Sequence, residues 1–133
     1  MPKEASFDWV CSRRLVSEDD GDSVLVRIAR PRRRGKGEWS CRIEIAGQSE
    51  FAFGLDSVQA LTVALQMVRL KLQHDDRRLR WAGGEDGDHG FEMHVPRIFG
   101  LAKTLEIEGL VSEALADISA AAEKRHRGRK SSP

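Results

Sequence analysis

The stretch DSVQALTVALQMVRLKLQHD, residues 56–75, sets the strongest limit on what this chain can become. Val58, Leu61, Leu65, Val68 and Leu72 recur at helical spacing, and Ala60, Val63, Ala64, Met67 and Leu70 widen that face. Gln59, Thr62, Gln66, Arg69 and Gln73 make the polar stripe, and only Arg69 among them is charged. A helix apolar around most of its circumference is normally buried on more than one side. The rest of the chain must therefore supply a broad apolar surface to receive it. Asp56 is placed to accept from the N–H of Gln59, and Gln59 to reach back, as in a capping box.

Period-two patterns supply that surface. Trp39, Cys41, Ile43 and Ile45 alternate with Ser40, Arg42 and Glu44, the clearest strand signal in the chain. Similar alternation predicts strands near residues 7–16, at Val24–Ile28, at Phe51–Phe53, at Leu79–Trp81 and at Phe91–Val95. Pro31 and Pro96 lack an N–H and should end the strands before them. A three-residue loop, Gly47 to Ser49, would set Phe51 opposite Ile45 and Phe53 opposite Ile43, keeping both rings on the buried face. The repeated Trp-x-Cys at Trp9–Cys11 and Trp39–Cys41 suggests that both strands aim a ring and a thiol at one core.

A last helix is expected over 105–124, capped by Thr104, with a basic, disordered tail over 124–133. The predicted fold is α+β: an antiparallel sheet of about six strands, with the long central helix and the C-terminal helix packed on it. Residues 1–123 form a single domain in this reading. Its core holds Trp9, Trp39, Cys41, Ile43, Ile45, Phe51, Phe53, Leu61, Leu65 and Val68.

The chain's 133 residues fit one domain that needs no staple, with 40% hydrophobic and 32% charged residues. No apolar run approaches the ~18 residues of a membrane helix. The opening MPKEASFDWV lacks a charged-then-apolar targeting pattern, so a cytoplasmic location is expected, where Cys11 and Cys41 stay as thiols. The net charge is only +1. Charge is nonetheless segregated: EDDGD at 18–22 is acidic, while RPRRRGK at 30–36 and KRHRGRK at 124–130 are basic.

The glycine loop GGEDGDHG, residues 83–90, invites a chemical reading. A dinucleotide fingerprint requires a helix after the loop, and here a strand is expected. Its acidic residues would repel phosphate, and no Walker-type lysine follows. A calcium loop starting at Asp86 needs a glutamate at its twelfth place, where Arg97 stands. Glu85, Asp86, Asp88 and His89 remain weak metal candidates. His89 and His94 point to opposite faces of a strand, two cysteines in separate strands make no zinc knuckle, and no Gly-x-Ser-x-Gly is present. The loop reads as a hairpin turn, with no cofactor and no catalysis expected.

Three segments together, WSCRIEI at 39–45, FGLDSVQALTVALQMVRLKL at 53–72 and LRWAGGEDGDHGF at 79–91, resemble an uncharacterised family of small bacterial proteins with a domain of unknown function. Its motifs are Trp-x-Cys, Gly-x-Asp-Ser-x-Gln-Ala-Leu and Trp-x-Gly-Gly-Glu-x-Gly-Asp. The likeness spans about residues 38–100. Glu92 to His94 depart from a proline that such proteins carry soon after the loop. The resemblance implies a bacterial source and a self-contained domain, and brings no catalytic residues.

The favoured expectation is a non-catalytic protein–protein interaction domain of immunity, inhibitor or adaptor type. Gln59, Thr62, Gln66, Arg69 and Gln73 are its contact candidates, and the partner is another protein or a second copy. The alternative is nucleic-acid association through Arg30, Arg32, Arg33, Arg34 and Lys36 in a hairpin loop, with Arg127, Arg129 and Lys130 of the tail. A metal-binding or hydrolytic site over 83–94 comes third.

Overall fold

The computed structural model describes residues 8–130, and only the backbone of Lys130. Phe7, expected in the first strand, lies outside that range, as do residues 131–133. The chain divides into two compact units between Met93 and His94.

The first unit is a six-stranded antiparallel sheet with one helix. The strands are β1 (Trp9–Ser17), β2 (Ser23–Ala29), β3 (Arg32–Gly35), β4 (Glu38–Ile45), β5 (Gln48–Gly54) and β6 (Leu79–Arg80), with α1 (Ser57–Gln73) between β5 and β6. β4 carries β5 on one side. On its other side β2 pairs with Ile43–Ile45 and β3 with Glu38–Ser40. β2 and β3 thus flank β4 in succession, interrupted at Arg30–Pro31 because proline cannot donate to the ladder. β1 pairs with β2, and β6 with β1.

One face of the sheet makes the core. Leu15, Val24, Val26, Ile28, Cys41, Ile43 and Ala52 are buried there against Ala60, Ala64, Val68 and Leu72 of α1. Alanines at Ala60 and Ala64 let the helix axis come close to β4 and β5. Asp56 caps α1 by accepting from the Gln59 N–H at 2.8 Å, and Gln59 Oε1 accepts from the Leu55 N–H at 2.6 Å. The Asp56 half of the capping box thus forms as the motif predicts, while Gln59 reaches the N–H of Leu55, one residue before the cap. The buried stripe is likewise rotated: Val58 is 71% exposed, while Ala60 and Ala64 sit at its centre.

The β4–β5 turn differs from expectation. Ile45 pairs with Gln48, so Ala46 and Gly47 form a two-residue turn. Both have positive φ, 51° and 82°, the signature of a type I′ hairpin. Phe51 therefore lies opposite Arg42 and Phe53 opposite Ser40, on the face away from α1. The core on that strand is filled by Ala52 instead. The left-handed region costs a non-glycine residue roughly 1–2 kcal/mol. Ala46→Gly should recover part of that, raising stability by about 0.5–1 kcal/mol in a denaturant melt. A fall in stability would show that Ala46 is held by contacts instead.

Trp9 is also not in the core. A bulge between Trp9 and Cys11 inserts one residue in β1, so Trp9 faces with Ala29 and Cys11 with Ile28. The two Trp-x-Cys motifs thus have different geometry, and Cys11 is exposed while Cys41 is buried. Burial pushes the Cys41 thiol up to about 11, with nearby Cys11 adding to the effect. Trp39, Ile45, Leu61 and Leu65 pack partly buried at the margin of the core.

The sixth strand is β3, inside the segment expected to be a basic loop. Residues 91–95 form no strand. Their alternation has no neighbour to pair with, since Phe91 is drawn against the core by its ring.

The second unit holds α2 (Leu101–Lys130). It begins three residues before Thr104, whose hydroxyl donates to the carbonyls of Pro96 and Gly100 and does not cap. It continues through the basic residues 124–130, where lysine and arginine are strong helix formers and Arg127 pairs with Glu123. Among the described residues no helix is long and apolar enough to cross a membrane.

Candidate functional site

The face of the sheet opposite α1 carries an unusual set of side chains. Pairing register places Arg14, Arg27, Arg32 and Arg42 on it. Arg34 joins them, its Nε donating to the Ser40 hydroxyl at 2.8 Å. The strand acids on this side are Glu38 and Glu44, and Glu44 is tied to Arg27. The same register brings Trp9, Phe51 and Phe53 to this face, with Phe51 38% and Phe53 64% exposed.

Arginines and rings interleave. The Arg27 guanidinium lies 4.3 Å from the Trp9 ring centre, and Arg42 lies 5.7 Å from the same ring. Arg34 stacks on Phe51 at 4.8 Å. Arg42 is also held by the Ser49 hydroxyl. A guanidinium over a ring is held in place, so this face offers fixed positive charge beside flat apolar surface. At one end it opens into a groove of about 510 Å³ between β3, β4 and the start of α1, lined by Arg34, Gly37, Glu38, Trp39, Phe53, Gly54, Leu55 and Gln59.

Of the basic candidates, Arg32 and Arg34 reach this face, while Arg33 pairs with Trp39 and points to the other. Arg30 lies 3.8 Å from Asp8, and Lys36 sits at the β3–β4 turn. Arg127 and Arg129 belong to α2 in the other unit. Trp9, Arg27, Arg42, Phe51 and Phe53 were not legible as a site, because the wrong β4–β5 register hid the two phenylalanines in the core.

The helical stripe is largely occupied by its own fold. Gln59 closes the cap, Thr62 donates to the Val58 carbonyl, and Arg69 donates to the Phe91 carbonyl.

The glycine loop is wrapped around Trp81 instead of spanning two strands. The Trp81 N–H donates to the Asp88 carbonyl at 3.0 Å. A Cβ on Gly83, Gly84 or Gly90 would come within 2.4–2.8 Å of the indole. Arg13 lies over both Trp81 and Phe91, at 4.6 and 4.9 Å. The candidate ligands have other work: Asp86 pairs with Arg78, Asp88 accepts from the Gly90 N–H, and His89 Nδ1 accepts from the Phe91 N–H. Among the described residues no three His, Cys, Asp or Glu side chains gather to hold a metal.

Burial, with Arg69 and Arg13 nearby, holds the His89 pKa below its ordinary 6.5, although Asp88 opposes this. The neutral ring is the form that can accept from Phe91. Because the folded value is depressed, the unfolded chain takes up the proton first as pH falls. The stability from this contact should be complete above pH 6.5 and decline as pH falls through the folded value. Thermal melts from pH 7.5 to 5 should show the decline, and His89→Gln should flatten it. An unchanged profile in that variant would assign the decline elsewhere.

No curated protein and no solved structure matches the chain. The profile of one family, a domain of unknown function designated DUF6968, matches residues 2–93, which is nearly the whole of the first unit. Two of the segments singled out in the sequence are accounted for as folding devices: Gly54 to Ala60 join β5 to α1, and Trp81 to Asp88 form the loop around the indole. The chain belongs to the DUF6968 family.

Proposed function

We propose that this chain is a non-catalytic binding domain that holds single-stranded nucleic acid on the open face of its sheet. The carrying observation is the interleaving of Arg27, Arg34 and Arg42 with Trp9 and Phe51 on the sheet face that also exposes Phe53. Unpaired bases can stack on rings that a duplex would leave unused, and arginines between the rings can follow the phosphates. The near-zero net charge implies local attraction to this face, not general affinity for polyanions. A bacterial cytoplasm is the setting proposed, where thiols such as Cys11 stay reduced.

The test is anisotropy titration of a labelled mixed-sequence single strand and its duplex over a range of salt. The single strand should bind more tightly. Arg34→Gln with Arg42→Gln should reduce the log–log salt slope by up to ~1.4, from about 0.7 per phosphate contact. Equal binding of duplex, or no binding of single strand at low salt, would overturn the reading.

A second reading, a protein–protein interaction domain of immunity, inhibitor or adaptor type, is favoured by α2. Val111, Leu115 and Ile118 lie at i, i+4 and i+7 and are exposed. Such a stripe suits a helix-in-groove partner or a second copy.

A further inference from the structure

We infer that the groove at the β3–β4 end of the sheet is a base-reading pocket, and that Glu38 selects guanine within a bound single strand. This inference rests on the reading of the sheet face as a single-strand platform.

The groove is continuous with that platform, since Arg34 and Phe53 belong to both. Its volume, about 510 Å³, lies in the range of small-ligand pockets and admits a base with its sugar. Trp39, Phe53 and Leu55 give it apolar walls. Trp39 faces Gly54 across the strands, and the place of a Gly54 side chain is taken by the first turn of α1, which brings Gln59 to the groove.

Glu38 is the feature that a phosphate site would not contain. It shares this end of the groove with Arg34, and its carboxylate lies beside Gly35, where a Cβ would come within 3.2 Å of Oε2. Gly35 thus leaves room for the carboxylate next to the strand backbone. A carboxylate is acceptor-only when ionised. Guanine alone presents two adjacent donors, N1–H and the N2 amino group, on its pairing edge, and both oxygens can accept from them. Adenine and cytosine present one amino donor beside a ring acceptor. Thymine and uracil present one N–H between two carbonyls, which a carboxylate repels. The order that follows is guanine first, adenine and cytosine next, thymine or uracil last. Arg34, stacked on Phe51, is placed to hold the phosphate of the captured nucleotide.

The experiment uses the full chain and four labelled dodecamers of thymidine, carrying G, A, C or T at one central position. A single guanine avoids four-stranded structures. The guanine probe should bind roughly tenfold more tightly than the all-thymidine probe, the size expected of a bidentate contact. Glu38→Gln should bring the four affinities within about threefold of each other, because an amide offers one donor and one acceptor and every base can meet that pair. The all-thymidine affinity should rise toward that of the guanine probe, because the carboxylate that repels the thymine carbonyls is gone, and a matched thermal melt would show that the variant folds. Equal binding of the four probes by the parent protein would overturn guanine selection while leaving the single-strand platform standing. A guanine preference that survives in Glu38→Gln would overturn the role of Glu38. Failure to bind any probe would overturn the platform and this inference together.

Discussion

Gly54→Ala should destabilise the first unit by about 3 kcal/mol or more, at the upper end of the cost of forcing extra volume into a packed site. A Cβ built there would lie 2.4 Å from the Ala60 nitrogen and 2.9 Å from the Ala60 Cα and the Gln59 carbonyl carbon. All three are backbone atoms of the first turn of α1, so no rotamer change can relieve the clash. Either α1 lifts from β5, exposing Ala60 and Ala64 from the centre of the core, or β5 leaves β4. For a unit of this size, 3 kcal/mol corresponds to a fall in Tm of roughly 12–24 °C. Gly109→Ala is the matched control. No atom lies within 4 Å of its added Cβ, and alanine is the better helix former. A Gly54→Ala protein that melts within ~2 °C of the parent would mean that strand and helix do not approach this closely.

Gly54 also shows which parts of the fold the sequence could reveal. The switch from alternation to helical spacing after Gly54 marks the β5–α1 boundary, and Asp56 and Gln59 announce the cap, so α1 is legible to within two residues. β4 is equally plain, because its two faces differ in polarity along its whole length. The antiparallel α+β class follows from these elements. Register was not legible, since a two-residue turn at Ala46–Gly47 lacks the Asn-Gly signature. Burying Phe51 and Phe53 then looked like the better solution. The hydrophobic argument failed because Ala52 and the α1 alanines already fill the space beneath β5, leaving no room there for two rings. Trp9 was misplaced for a related reason: a bulge changes the face of every residue before it, and nothing at Val10 advertises one. The candidate site was therefore hidden by two local shifts, one of three residues in the β4–β5 register and one of a single residue at the β1 bulge, that together turn three rings outward. β3 was hidden by its charge, since four residues of Arg-Arg-Arg-Gly read as a solvated loop until β4 is there to pair with them.

The double variant Trp9→Ala, Phe51→Ala should lose most of its affinity for single strands. Stacking contributes about 1–3 kcal/mol per base by alanine substitution. Two platforms together give about 2–6 kcal/mol, or roughly 30-fold to 10⁴-fold in Kd. The salt slope should stay near the parent value, because no phosphate contact is removed. The arginine variants should do the reverse, changing the slope with a smaller loss at low salt. This crossing of effects separates a stacking platform from a face that is merely basic. It also meets the simplest competing account, in which Trp9 and Phe51 serve only to support Arg27 and Arg34. An exposed cation–π contact is worth about 0.5–1 kcal/mol of stability, so under that account the double variant would melt slightly lower and bind as before. Unchanged affinity in a folded double variant would reduce the face to solvated packing and transfer the functional question to the exposed stripe of α2. A loss confined to thymidine-rich strands, with guanine-containing strands still held, would instead separate the platform from the Glu38 groove and show that the two can bind independently.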